Sequence, residues 1–223
     1  MDARGLGQTT RPMGWFDRIE DLAADALEVL DQREVQACHV FGLSLGGMIG
    51  MAMAADFPER CLSLCVANSS TADSGVLRVQ PATIADLLGK SLTQNSRREL
   101  VTALTTTKLS RQVGCKMAEQ WEKIEEDEGL PTKVISQQLL AASRFRIKNR
   151  IDVNLVPTLI LYGNQDRFVP NSNSIALNKL IVGSKLQVIR GAGHEISLAR
   201  EEQLARILLR FTGAYPGRQV KAS

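Results

Sequence analysis

The chain has 223 residues, of which 44% are hydrophobic and 23% charged, and a formal net charge of +3. That size and balance suit one globular domain with an adequate core and room for an inserted subdomain. The small charge and the lack of a dense Lys/Arg run argue against a nucleic-acid partner. No apolar run is long enough to span a bilayer, and the charged, glycine-rich opening "MDARGLGQTT" does not read as a signal peptide.

The first periodic segment is "DRIEDLAADALEVL". Ile19, Leu22, Ala23, Ala26, Leu27 and Leu30 recur at helical spacing, with Asp17 as the expected N-cap and Glu20 three residues on. "ACHVFG" then reads as a short buried strand ending in glycine, and "GMIGMAMAADFPER" as a small-residue helix able to sit close to a sheet. "LSLCVANSS" is a second buried strand. From about residue 71 to 150 strand patterns give way to polar helical segments such as "SRRELVTALTTTKL" and "GCKMAEQWEKIEEDEG". After the break "GLP" another helix is expected, with Ile135, Leu139, Ala142 and Phe145 on one face. Strands return in "PTLILYG" and "KLQVIRG", and "LAREEQLARILLRF" closes the chain as a helix with Leu204, Ile207, Leu208 and Phe211 on one side. Continuous apolar strands alternating with helices predict an α/β protein whose parallel sheet is covered on both faces.

Cys38, Cys61, Cys65 and Cys115 lack the paired spacing of a zinc site, and no nearby histidine completes a metal set. They are expected as reduced thiols packed in a core, and the protein as cytoplasmic.

Three residues could carry chemistry. In "VFGLSLGGMIG", Ser44 lies between Gly42 and Gly46 where a strand meets a helix. A serine hydroxyl is a poor nucleophile until a base takes its proton, and it must also project toward a substrate. A tight strand-to-helix turn projects it, with both glycines expected to be needed because side chains there would clash. The helix after it supplies a positive dipole end and a free backbone N–H at Leu45 that can bind an oxyanion. The same stretch lacks the spacing of a dinucleotide loop or a P-loop. Asp166, in "LILYGNQDRFVP", follows the strand ending at Gly163, at the edge where ligands gather on an open α/β sheet. A carboxylate there can orient an imidazole; the plainer alternative is a turn or capping aspartate. His194, in "QVIRGAGHEISL", also follows an apolar strand and a glycine loop, whereas His39 reads as a packed strand residue. Each of the three follows a predicted buried strand, so all emerge at one sheet edge in the order Ser, Asp, His.

At these residues the sequence resembles the α/β-hydrolase superfamily. "DARGLGQT" is similar to the family's loop after its fourth strand. "GLSLGGMIGMAMAADFPERCLSLCVANSS" resembles its elbow, following helix and sixth strand, and "VPTLILYGNQDRFVP" and "GAGHEISL" its acid and histidine loops. The phrasing around Ser44 and "VANSSTAD" is most similar to 3-oxoadipate enol-lactonases and related carboxylesterases. The resemblance implies an α/β-hydrolase fold with core segments 1–72 and 151–223 and a helical cap at about 73–150. It makes Ser44 the nucleophile, Asp166 the acid, His194 the base and Leu45 one oxyanion donor, with no metal or organic cofactor. The family places the "D-x-R-G-x-G" loop after about four strands, whereas here it stands at the start. The resemblance therefore implies an N-terminally truncated fold, with the Ser44 strand an exposed edge that invites pairing with another chain, and an oxyanion hole lacking one donor. Losing such a donor costs about 3 kcal/mol in the transition state.

The expected function is serine hydrolysis of a small carboxylic ester or lactone through an acyl-enzyme, with no nucleic-acid or membrane partner and a homo-oligomer available through the sheet edge. Trp121 is one candidate to line the pocket, although a core or interface tryptophan is the commoner outcome. The alternatives are a non-catalytic relative acting as an interaction protein, and a fragment of a longer hydrolase with a misassigned start.

Overall fold

The four apolar runs form four parallel strands in a computed structural model that describes residues 2–74 and 132–215, together with positions 116, 119, 120, 123, 124 and 127. The strands are β1 (Cys38–Leu43), β2 (Cys61–Ala67), β3 (Thr158–Gly163) and β4 (Lys185–Ile189), ordered in space as in sequence. Helix α1 (Ile19–Gln32) precedes β1, and α2 (Leu45–Asp56) crosses from β1 to β2. Helix α3 (Thr132–Arg144) precedes β3, α4 (Asn171–Leu180) crosses from β3 to β4, and α5 (Ile196–Ala199) and α6 (Glu201–Gly213) close the described chain.

Alternation along the strands divides the core in two. Leu64, Val66 and Ile160 face one layer, where they join Leu22 and Leu27 of α1, Met51 of α2 and Leu177 of α4. Cys65, Ala67, Leu159, Leu161 and Ile189 face the other, against Leu204 and Phe211 of α6. Both faces of β2 and β3 are therefore buried, which is why these strands read as unbroken apolar runs. Among the described residues β1 and β4 are the sheet edges, and on β1 Phe41 is 41% exposed. The small residues of α2 let it lie close to the sheet: a side chain at Gly50 would press on Leu64 and Val40.

Two local expectations need correction, and one helix was not expected at all. Helix α1 starts at Ile19, with Arg18 as its N-cap residue, not Asp17. The Asp17 carboxylate instead accepts the Gly14 N–H at 2.8 Å and pairs with Arg4 at 3.1 Å, while Asp21 takes the Arg18 N–H. Helix α4 had no sequence signal of its own, because "NSNSIALNKL" buries two polar residues, Asn173 and Ser174, beside Leu177. The closing helix is broken at Arg200 into α5 and α6.

The stretch after β2 is fastened to the loop after α3. Asp73 accepts the N–H groups of Ile147 and Lys148 and pairs with Arg146, and the Ala72 N–H donates to the Phe145 carbonyl. Burial pushes the Asp73 carboxyl up, but the Lys148 and Ile147 N–H donors, helped by Arg146, bring it below its ordinary value. Arg150 grips both oxygens of Asp56, at 2.8 and 2.9 Å, and reaches Glu20. "SRRELVTALTTTKL" and Trp121 lie outside the described residues, as does most of "GCKMAEQWEKIEEDEG".

Cys38 and Cys61 are register partners at the start of β1 and β2, and with Cys65 they are free thiols. Burial pushes Cys61 and Cys65 each up to about 12, so both stay protonated at neutral pH. Among the described residues no helix is long and apolar enough to cross a membrane, and no cluster of His, Cys, Asp or Glu could hold a metal ion.

Candidate active site

Ser44 joins β1 directly to α2 and sits at φ 54°, ψ −117°, a left-handed backbone that a non-glycine residue adopts only under constraint. The constraint is visible. The Ser44 N–H donates to the Ala67 carbonyl at 2.9 Å, and its carbonyl accepts the Gly47 N–H at 3.0 Å and the Ser69 hydroxyl at 2.7 Å. A Cβ at Gly42 would collide with the Gly46 carbonyl, so that glycine is obligatory. Gly46 departs from expectation, because a Cβ there would meet nothing within 4 Å among the described residues. Leu45 is the first residue of α2, so its N–H stands outside the intrahelical ladder at the positive end of the helix.

Asp166 and His194 come from the loops after β3 and β4. His194 Nδ1 lies 2.9 Å from Asp166 Oδ2, and both side chains are almost wholly buried. The other carboxylate oxygen of Asp166 accepts the N–H groups of Phe168, at 2.7 Å, and Val169, at 2.9 Å. Asp166 thus bonds the turn and the imidazole at once, one oxygen for each. The Phe168 ring packs on the imidazole with centroids 4.7 Å apart. Beside His194, burial pushes the Glu195 carboxyl above its ordinary value. His39 bonds Ser63 at 2.8 Å within the sheet, as a packed strand histidine should.

A cavity of about 160 Å³ opens at Ser44 and Leu45. Its walls are mainly apolar, from Met48 on α2, Ile135 and Leu139 on α3, and Phe168. Gln138 adds a buried side-chain nitrogen with no hydrogen-bond partner among the described residues. Sequence reasoning overlooked Gln138 and Phe168; the helical period marked the face of α3, but not which polar residue beside that face would meet the cavity. A larger groove, about 370 Å³, lies between β4 and α6 with Lys185, Arg206 and Arg210 on its rim. It contains none of the three candidate residues, whereas the smaller cavity has Ser44 in its lining and Phe168, which packs on His194, in its wall.

Comparison with known proteins agrees with this layout. The family model described as alpha/beta hydrolase fold matches residues 1–200. Rhodomycin D methylesterase of Streptomyces peucetius is 27% identical, covering 96% of this chain and 80% of its own length. A 3-oxoadipate enol-lactonase of Acinetobacter baylyi is 36% identical over a shorter stretch, 31% of this chain and 26% of its own. The meta-cleavage product hydrolase of Pseudomonas fluorescens superposes with a TM-score of 0.79 at 21% identity, over 96% of this chain and 78% of that one. With its parallel sheet, its strained serine turn and a family match over most of its length, the chain belongs to the alpha/beta hydrolase fold family.

Proposed function

We propose that the chain is a serine hydrolase that cleaves a small carboxylic ester or lactone. The observation that carries the reading is Ser44, held in a strained left-handed turn at the head of α2 where an apolar cavity opens. His194 takes the Ser44 proton as Ser44 Oγ attacks the carbonyl carbon. Negative charge develops on the former carbonyl oxygen and is met by the Leu45 N–H at the helix terminus. Asp166, through its bond to Nδ1, keeps Nε2 as the basic nitrogen and stabilises the imidazolium that forms. The tetrahedral intermediate collapses, His194 returns the proton to the leaving alcohol, and an acyl-enzyme remains. Water, deprotonated by His194, then releases the acid and restores Ser44.

A mainly apolar wall with Gln138 and serine hydroxyls as its polar groups suits a small, largely apolar acyl or alcohol group. The named activities of the methylesterase and the enol-lactonase support acyl transfer to water as the reaction type. Helix α3 lines this cavity, and Asp73 bonds the Ile147 and Lys148 N–H groups beyond it.

Intact-mass analysis after fluorophosphonate treatment tests the reading. One adduct on the wild type and none on Ser44→Ala is expected; an unmodified, folded wild-type protein would refute it. A second reading, an interaction module, is favoured by the edge position of β1. There Phe41 flanks a groove of about 290 Å³ between β1, α1 and α2. A dimer persisting at low concentration with no labelling of Ser44 would favour it.

A further inference from the structure

We propose that the end of β2, Ala67-Asn68-Ser69, is the device that positions all three reacting groups, with Asn68 a positioning residue that acts through His194. The proposal rests on the reading of Ser44, Asp166 and His194 given above. Asn68 is 1% exposed, and its side-chain amide lies between two loops. Its Oδ1 accepts the Gly163 N–H at 2.9 Å, and its Nδ2 donates to the carbonyls of Gly193, at 3.0 Å, and His194, at 2.6 Å. The partners fix the orientation of the amide, since a flipped group would set NH2 against N–H and oxygen against two carbonyls.

Gly163 stands three residues before Asp166, and Gly193 immediately before His194. One side chain therefore ties the backbone that carries the acid to the backbone that carries the base. The loops touch directly as well: a Cβ at Gly163 would collide with the carbonyls of Ala192 and Gly193, and the Gln165 N–H donates to Ala192 at 2.9 Å. The 2.9 Å Asp166–His194 bond is formed by two loops that both answer to Asn68.

The residues flanking Asn68 hold the third group. The Ala67 carbonyl accepts the Ser44 N–H, and the Ser69 hydroxyl donates to the Ser44 carbonyl. Both polar backbone groups of the strained serine are thus bonded to residues on either side of Asn68. Asn68 itself is at φ 44°, a conformation Asn tolerates better than most residues. A buried Asn is costly unless its polar atoms are paired, and this one pairs both ends with backbone of the acid and base loops. The two loops contribute residues 28 apart in sequence, so local conformation alone cannot set their spacing.

The decisive variant is Asn68→Gly, which keeps the left-handed backbone and removes the tether. The expected result is a folded protein whose rate of fluorophosphonate labelling falls about 100-fold, the scale of a small misplacement of a reacting group. With an activated aryl acetate, kcat should fall while KM stays near wild type. A folded Asn68→Gly that labels at the wild-type rate overturns the proposal. Should Asn68→Gly fail to fold, Asn68→Asp decides on the same readout. Its ionised carboxylate keeps the Gly163 bond but lacks both donors, and protonation restores one O–H donor. Its labelling rate relative to wild type should rise as the pH is lowered, and a ratio independent of pH overturns the proposal. Amide exchange separates this failure from that of the enzymatic reading. In whichever variant folds, peptides spanning residues 161–166 and 190–196 should exchange faster while α1 is unchanged. Unchanged protection there overturns the tether even if the wild type never labels.

Discussion

The serine turn and the Asp166–His194 pair are built in opposite ways. The turn is chiefly a local object: strand, Gly42, a strained residue and a helix follow within a few positions, and the backbone has little freedom once Gly42 packs against Gly46. The acid–base pair is a tertiary object: two loops from separate strands meet at 2.9 Å because side chains and glycine contacts elsewhere press them together. The turn's conformation is set locally and then braced by Ala67 and Ser69, whereas the pair has no geometry at all without its tethers. Mutations at the two places should therefore fail differently, the first through folding and the second through rate.

The largest expected effect is on the tertiary side. Asp166→Asn can keep its oxygen on the Phe168 and Val169 N–H groups, so the turn survives. The amide NH2 then faces His194 Nδ1 and forces the tautomer whose Nε2 carries hydrogen and cannot act as a base. Turnover of an activated ester should fall about 10⁴-fold with the melting temperature nearly unchanged. A parallel collapse of stability would show that the carboxylate serves the fold more than the imidazole. On the local side, Gly42→Ala should cost on the order of 3 kcal/mol, because its Cβ must displace backbone and not a flexible side chain. Chemical denaturation measures this, and a loss of labelling without a loss of stability would contradict the account of the turn.

This division also explains what the sequence disclosed. The four strands, the two-faced sheet and the motif positions of Ser44, Asp166 and His194 were legible because apolar runs and glycine spacing are local signals. Helix α4 was not, since its buried Asn173 and Ser174 contradict the usual apolar stripe. Nor was the N-terminus of α1, where Asp17 caps nothing and serves the Gly14 N–H and Arg4 instead. Asn68 lay in plain view within "VANSS", but its partners are 95 and more residues away, and no periodicity encodes them.

A second tertiary contact, remote from the chemistry, sharpens the contrast through pH. The opening loop is fastened to α1 by Arg4, whose guanidinium bonds Asp25, with Arg11 on the same carboxylate. Arg4 first, against burial and with help from Arg11, holds the Asp25 carboxyl below its ordinary value. A carboxyl lowered on folding stabilises fully above its unfolded pKa, and this contribution fades as pH falls through the folded value. Asp25→Asn should thus cost roughly 2 kcal/mol at neutral pH, and the gap from wild type should begin to close at about pH 4 and vanish only below the lowered folded value. Urea unfolding at a series of pH values reads it, and a gap that persists undiminished in acid would mean the carboxylate charge is not what holds the loop.

The smallest effect belongs to the other motif glycine. Both glycines flanking Ser44 match the G-x-S-x-G pattern, but among the described residues only Gly42 is sterically required, since a methyl at Gly46 meets none of them within 4 Å. Gly46 lies in the first turn of α2 at an ordinary helical position, where alanine loses less entropy on folding. Gly46→Ala should leave stability unchanged or raise it by about 0.5 kcal/mol. The methyl would project into the groove beside β1 that Gly46 lines together with Phe41 and Ile49. A melting temperature equal to or above wild type confirms that one glycine, packed against the backbone of the other, suffices to shape the turn. A large destabilisation would mean that the space beside β1 is filled in solution, and by something that approaches α2 as closely as another strand would.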